Sequence, residues 1–464
     1  MTADTANAAN AANAADAADA ADAAGTAESG AGGLRAGYAA VEITPPAGTD
    51  MTGFIAREGP CLGRRDPLEV RALVFEDAAG RRVALAACDL IGLGRHLVAR
   101  VRRRVAGVTG IPPEGQLFNC SHTHAGPETG VLTTIGLPDP EYLATLEARL
   151  GDALIAAAAR LVPVRLHLGA TEVPDGLALN RVYRRVDQPG RYDRQLVAVR
   201  IEPLATIVAF ACHAVALGSG ERYAAADFVA PLRRELESDG GLPLVYLNGC
   251  GGDVNPAGMD ARGADACEAL GTGLARAARA ALAAATAVPD AAPTVAGLQQ
   301  WVDLPFQPLR TPDEAAALLA AGRERIAGLT PGSPAFRGTR VTEVEYPLRL
   351  LRLHYGSETL PEIRAEVQAL KIGPLAVVAL PGEIFSSLGR AIKDGSPFGA
   401  PRTLVAGWAN DNVGYVPDAD AYPLGGYEVD LASRYYGYPA GWAPAAGEGL
   451  VSAAGRLLER LAGA

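Results

Sequence analysis

Phe118-Asn119-Cys120-Ser121-His122-Thr123-His124-Ala125-Gly126-Pro127 is the tract on which both the fold and the chemistry of this chain turn. Gln116 to Cys120 reads as a short strand, and it empties directly into a His-x-His pair. In extended backbone, residues i and i+2 point to the same face, so both imidazoles reach one point in space. Imidazole is the commonest protein ligand for zinc, and a pair at a strand end is a compact start to a metal site. Taken alone, the pair fits a metal or catalytic site as well as it fits two unrelated polar loop residues.

Outward from this tract, strands and helices alternate, which predicts an α/β fold. Tyr38 to Thr44, Leu68 to Glu76 and Arg82 to Leu90 read as strands, the last apolar enough to be buried on both faces. His96 to Val108 and Glu141 to Leu161 read as amphipathic helices. Strands follow at Val164 to Glu172, Leu196 to Glu202 and Ile207 to Ala216, the last interrupted by His213. Leu244 to Leu247 opens into Asn248-Gly249-Cys250-Gly251-Gly252-Asp253-Val254-Asn255-Pro256. That glycine-rich mouth either lets the backbone approach a ligand or makes a tight turn into a helix at Ala264 to Ala285. Residues 287 to 312 hold a short strand, and Pro312 to Gly328 is a helix. Thr342 to Leu353 and Leu375 to Leu380 are read as strands framing a helix at Pro361 to Leu370. Leu404 to Trp408 is a strand, a tyrosine-rich loop follows, and Gly449 to Leu461 is a helix. No internal repeat is visible.

The 464 residues are 49% hydrophobic and 20% charged, enough to bury a sizeable core. A net charge of −10 argues against nucleic acid as a partner, because phosphate neutralisation needs clustered Lys and Arg. The run Arg102 to Arg104 lies on the first predicted helix and is expected to coat a solvated face. No apolar stretch is long and uncharged enough to span a bilayer as a helix. Six cysteines without a C-x-x-C pair read as reduced, packed thiols and point to the cytoplasm. Residues 1–36, rich in Ala and Asp, read as a disordered tail ahead of a single domain over 37–464. The Ala- and Arg-rich composition suggests a GC-rich bacterial genome.

Four tracts share one character: an apolar strand whose exit carries a polar side chain. They deliver His122 and His124, His213, Glu383, and Asn410 with the tyrosines. Sites in α/β folds collect at the carboxyl ends of strands, so the tracts are expected to converge. Two histidines and a carboxylate would make a hydrolytic zinc site with an open position. Glu383, at a strand-to-helix junction, is alternatively a first-turn acid that favours the helix dipole.

The chain resembles the neutral, non-lysosomal ceramidases and their bacterial relatives. The resemblance runs from about Gly37-Tyr38, with Glu42-Ile43-Thr44-Pro45-Pro46, to about Tyr427. It rests on His122-Thr123-His124-Ala125-Gly126-Pro127, Asn180-Arg181, Ala211-Cys212-His213-Ala214, Gly252-Asp253-Val254-Asn255-Pro256, Leu380-Pro381-Gly382-Glu383 and Ala409-Asn410-Asp411. It implies the mixed-sheet α/β fold of the family's catalytic domain, here without the C-terminal β-sandwich domain and without a secretion signal. It also implies one zinc ion on His122, His213, Glu383 and Tyr415. His124 would stand beside the metal as hydrogen-bond donor or proton shuttle, Arg181 would bind the amide carbonyl or an acidic group, and Tyr427 would contact the scissile region.

The family's active-centre serine is replaced by Asn255, and an amide cannot serve as an alkoxide nucleophile. Zinc-activated water is then the expected attacking group, with Asn255 as a hydrogen-bond donor. The sequence reading is a zinc-dependent amidohydrolase acting on a small polar N-acyl compound in preference to ceramide. Its rivals are a zinc esterase, lactonase or acyl-transfer enzyme on the same centre, and a non-catalytic metal- or ligand-binding relative.

Overall fold

Three sheets, most of their strands buried on both faces, share one plan. The computed structural model describes residues 33–132, 134–258 and 261–463. The first sheet contains β1 (Arg35–Glu42), β2 (Glu69–Glu76), β3 (Arg82–Cys88) and β4 (Gln116–Cys120), in the order β4-β3-β2-β1, with Val162–Pro163 beyond β1. The second contains β5 (Arg165–Glu172), β6 (Gln195–Glu202), β7 (Ala205–Phe210) and β8 (Leu244–Asn248), in the order β8-β7-β6-β5, with Thr286–Ala287 beyond β5. The third contains β9 (Val295–Asp303), β10 (Arg364–Ile372), β11 (Leu375–Ala379) and β12 (Thr403–Ala406), in sequence order. In each sheet the labelled strands pair antiparallel except at one edge, where β3–β4, β7–β8 and β11–β12 run parallel. The plan recurs without a sequence repeat because it needs only the same burial pattern, not the same residues.

The inner faces of all three sheets meet in one apolar core, built from residues such as Leu73, Phe75, Leu85, Val199, Ile207, Val377 and Leu404. The alternate residues of β2 and β3, among them Val70, Ala72, Ala84 and Ala86, face outward under α1 (Arg95–Thr109) and α2 (Pro140–Ala158). This two-sided burial explains the near-continuous hydrophobic runs of these strands. α3 (Ala264–Ala283) covers the second sheet and α4 (Ala445–Ala462) the third. Asp139 caps α2, its side chain accepting from Glu141 N and Tyr142 N.

Asn119 ties the three parallel edges together. Its Nδ2 donates to the carbonyls of Asn248 (3.1 Å) and Gly407 (2.6 Å), and its Oδ1 accepts from Asn248 N (2.9 Å). Asn248 in turn donates to the carbonyls of Ser121 (2.8 Å) and Cys212 (2.9 Å). The C-terminal ends of β4, β7, β8 and β12 are therefore held side by side, and the loops that leave them start from one place.

Several expectations need correction. Thr342 to Leu353 is helical rather than a strand: Pro334–Thr339 and Tyr346–His354 are helices joined by a wider helical turn, and Tyr346, Pro347 and Leu350 face inward at helical spacing. The helix expected at Pro361 to Leu370 is β10, where Ala365, Val367 and Ala369 pack on one face while Glu366 and Gln368 lie buried on the other. Polar residues on an inner face hid the period of two. Arg102 does not coat a solvated face: it is buried and bridges Glu366 (2.8 Å), with its Nε donating to Gln116 O (3.0 Å). The strand at 207–216 stops at Phe210, and His213 stands in the loop beyond it. Residues 1–32 of the expected tail lie outside the described residues, and β1 already begins at Arg35. All six cysteines are free and buried. Among the described residues no helix is long and apolar enough to cross a membrane.

Candidate metal centre

His122 leaves β4 in a left-handed backbone conformation (φ 62°), which turns its ring inward. It stacks on Trp408, itself at φ 44°, with ring centroids 4.5 Å apart. Its Nδ1 lies 2.6 Å from the Ile91 carbonyl, and that of His213 lies 2.7 Å from the Gly251 carbonyl. A carbonyl only accepts, so both rings carry a proton on Nδ1 and turn Nε2 inward.

Both Nε2 atoms face Glu383, whose Oε2 is 2.9 Å from His213 Nε2 and 3.5 Å from His122 Nε2. Glu383–Ile384 pairs in parallel with Tyr415–Val416, with Glu383 opposite Tyr415. This register sets the Tyr415 hydroxyl 3.3 Å from His213 Nε2. Burial, with the Arg181 charge second, pushes the His213 imidazole down to about 4, so it is neutral at neutral pH. A ring nitrogen and a carboxylate oxygen 2.9 Å apart are held together by a shared proton or by a metal cation between them. Donor atoms held about 2.0–2.1 Å from one tetrahedral centre lie roughly 3.3–3.4 Å apart, close to the spacings seen here. The residues fit a metal ion.

His124 is the other histidine of the cluster: it, His122 and His213 offer ring nitrogens within 4.8 Å of one another. Its Nε2 is 3.1 Å from His122 Nε2, yet its buried Nδ1 has no partner. Metal-bound histidines nearly always donate their second N–H to a fixed acceptor, which His122 and His213 do and His124 does not. Burial, then the charges of His122 and His213, hold the His124 imidazole well below its ordinary value.

Arg181 follows the short ladder of Ala178–Asn180 with Val254–Pro256. Its guanidinium donates to Tyr415 OH (2.8 Å), Gly252 O (3.0 Å) and Asn255 Oδ1 (3.2 Å), and it pairs with Glu428 (2.7 Å). Asp253 braces this corner, accepting from Asn180 Nδ2 (2.6 Å), Ser386 N (2.7 Å) and Ser386 Oγ (2.9 Å). Burial pushes the Asp253 carboxyl up to about 7. The glycine-rich mouth does more than turn the chain: Gly252 N donates to Ile384 O (2.9 Å), and a Cβ on Gly252 would sit 2.2 Å from Glu383 O.

The cluster opens through His124, Arg181, Asn255 and Tyr415 into a pocket of ≈ 230 Å³, walled by Phe54, Ile135, Val215 and Tyr427 among others. Tyr427 is 43% exposed at its edge, with its ring 5.7 Å from that of Tyr415. The eight residues picked from the sequence, His122, His124, Arg181, His213, Asn255, Glu383, Tyr415 and Tyr427, thus gather in one place. Asn410 does not: its Oδ1 accepts from Phe118 N (2.9 Å) and its Nδ2 donates to Gln368 (2.7 Å), inside the protein. Sequence reasoning missed Trp408, Glu428, Phe54 and Tyr436, whose hydroxyl donates a short hydrogen bond to Glu383 Oε1. Only Trp408, next to the quoted Ala409-Asn410-Asp411 tract, carried a signal.

The three-sheet arrangement has counterparts among solved structures. The fold is that of the neutral ceramidases. A ceramidase complexed with C2 superposes with a TM-score of 0.70 at 20% identity, covering 92% of this chain and 76% of that one. Neutral ceramidase from Pseudomonas aeruginosa gives 0.68 at 19% identity, covering 92% and 75%. No protein-family model matches the chain, and no curated protein matches it either. At this identity the likeness to ceramidases is one of fold, and the chemistry has to be argued from the side chains.

Proposed function

We propose that this chain is a zinc-dependent hydrolase that cleaves the amide bond of a small polar N-acyl substrate. The observation that carries the reading is the convergence of two inward Nε2 atoms, the Glu383 carboxylate and the Tyr415 hydroxyl, the last lining a pocket. His122, His213, Glu383 and Tyr415 are the proposed zinc ligands, and residues 37–464 the catalytic domain. When bound, zinc supplies a Lewis acid and lowers the pKa of a bound water to about 7.

The chain's own residues do the rest. Arg181, fixed by four contacts, holds positive charge beside Tyr415 where negative charge develops on the substrate carbonyl. Asn255 lines the pocket with its Oδ1 held by Arg181, and it acts as a hydrogen-bonding residue toward the substrate. Tyr427 closes the pocket edge over the scissile group. His124, neutral and turned into the pocket, takes up the proton that the attacking water gives off and passes it to the leaving amine. Six buried free thiols support a reducing compartment.

Elemental analysis of the purified, untagged protein should find one zinc per chain. Turnover of short N-acyl amides should vanish on chelation and return with zinc. A protein that holds no metal tightly even after zinc is resupplied would end the hydrolase reading.

A further inference from the structure

The two oxygens of Glu383 face different partners. Oε2 lies 2.9 Å from His213 Nε2 and 3.5 Å from His122 Nε2, while Oε1 accepts a short hydrogen bond from the Tyr436 hydroxyl. Tyr436 follows the helical turn Ala432–Tyr435, and its ring presses on the backbone just before Tyr415. A Cβ on Gly414, which stands at φ 78°, would sit 2.9 Å from Tyr436 Cδ2 and 3.2 Å from its Cγ. Gly414 O in turn accepts from Glu383 N (2.9 Å). The ring therefore touches the segment that carries one proposed ligand, and the hydroxyl grips the other. Two further rings back it. Tyr438 stacks on Tyr436, with centroids 6.4 Å and planes 11° apart. Trp442, whose ring is 4.9 Å from that of Tyr438, donates its Nε1–H to Val413 O (3.1 Å). Tyr427 and Tyr435 line the pocket, whereas Tyr436 does not, so Tyr436 reaches the site only through Glu383 and the backbone beside Tyr415.

We infer that Tyr436 is a positioning residue that restricts Glu383 to ligation of the proposed zinc ion through one oxygen. A free carboxylate can bind a metal through one oxygen or through both. His122, His213, Glu383 and Tyr415, giving one atom each, would leave a zinc ion that takes four or five ligands a single position for water. A second Glu383 oxygen would fill that position. The Tyr436 hydroxyl keeps Oε1 engaged as an acceptor, the way ligating carboxylates are commonly held by a hydrogen bond from outside the ligand set. The inference deepens the hydrolase reading and rests on its ligand set.

Tyr436→Phe is the test, because it keeps the ring on Gly414 and removes only the hydroxyl. Competition of the full chain with a chelating dye should show zinc bound about 10–100-fold more weakly than in the wild type. In the cobalt-substituted chain, azide entering the open position should perturb the visible spectrum of the wild type, and Tyr436→Phe should need about tenfold more azide for the same change. The metal-free variant should unfold at the wild-type midpoint, which separates positioning of a ligand from packing. Tyr438→Phe, which trims the next ring of the stack, should match the wild type in zinc and azide binding alike. Unchanged zinc affinity or unchanged azide binding in Tyr436→Phe would overturn the inference, and so would an equal loss in Tyr438→Phe. A wild-type chain that takes up no zinc would remove this inference and the hydrolase reading together. Zinc and azide binding that depend on Tyr436, without turnover of any amide, would leave this inference standing and remove the hydrolase reading. Amide turnover by a zinc-loaded chain whose metal binding ignores Tyr436→Phe would do the reverse.

Discussion

Two histidines from one tract take different proposed roles because their second ring nitrogens meet different surroundings. His122 donates its Nδ1–H to the Ile91 carbonyl and is braced by Trp408, so its Nε2 is fixed in place. His124 has no acceptor at Nδ1, and its backbone carbonyl takes a hydrogen bond from Arg57 (2.6 Å), so the ring is positioned by packing on Phe54. Its Nδ1, tied to no carbonyl, is the ring nitrogen at which a proton can be exchanged. His124→Ala should therefore keep its zinc and lose amide turnover by about 10²–10⁴-fold, with a much smaller loss on an activated ester whose leaving group needs no proton. Equal losses in kcat on matched amide and ester substrates would remove His124 from proton transfer.

The elements matter through where they end. Each sheet places its one parallel pair at an edge, and every proposed ligand follows a strand of such a pair. β4 delivers His122, β7 delivers His213, and β11 and β12 lead to Glu383 and Tyr415. The glycines after β8 let these segments touch: a Cβ on Gly251 would lie 2.9 Å from Cys212 N, and one on Gly252 would press into the Glu383 backbone. Gly252→Ala is expected to displace Glu383 and weaken zinc binding about 10–100-fold, as losses in a ligand's supporting shell do. Gly107→Ala, where a Cβ meets nothing within 4 Å, is the matched control and should leave zinc affinity unchanged. Competition with a chelating dye measures both, and equal affinities would show that this close packing does not position the ligand.

Across the whole molecule, α1 is fastened to the third sheet by a buried polar network. Arg102 pairs with Glu366 and reaches Gln368 (3.3 Å), while Asn410 donates to both of those side chains, at 3.3 and 2.7 Å. Removing one partner would strand a buried charge, so Arg102→Met should cost about 3–5 kcal/mol in denaturant unfolding, and Arg102→Met with Glu366→Gln should recover part of it. A loss below about 1 kcal/mol would mean that water reaches Glu366 and that the network does not join the layers. The same long-range joining gathers the ligands, since Glu383 meets His213 across 170 positions of sequence.

How much of this was legible follows from which forces are local. The strands from β1 to β8 and their covering helices could be read because apolar periodicity is a property of neighbouring residues. The His-x-His pair, the strand-exit pattern and the resemblance to the ceramidases marked all eight gathered residues, because each sits in a tract with its own local signature. β10 was misread as a helix and the 346–354 segment as a strand, since the inward polar residues Glu366 and Gln368 are acceptable only with Arg102 supplied from 264 and 266 positions away. Separation along the chain likewise hid the burial of Arg102 and the hydrogen bond from Tyr436 to Glu383. The sequence by itself determined the strands from β1 to β8 and which polar side chains follow them. Only the tertiary structure decided which of those side chains share a charge, a proton or a metal, because electrostatic pairing depends on distance in space and not along the chain.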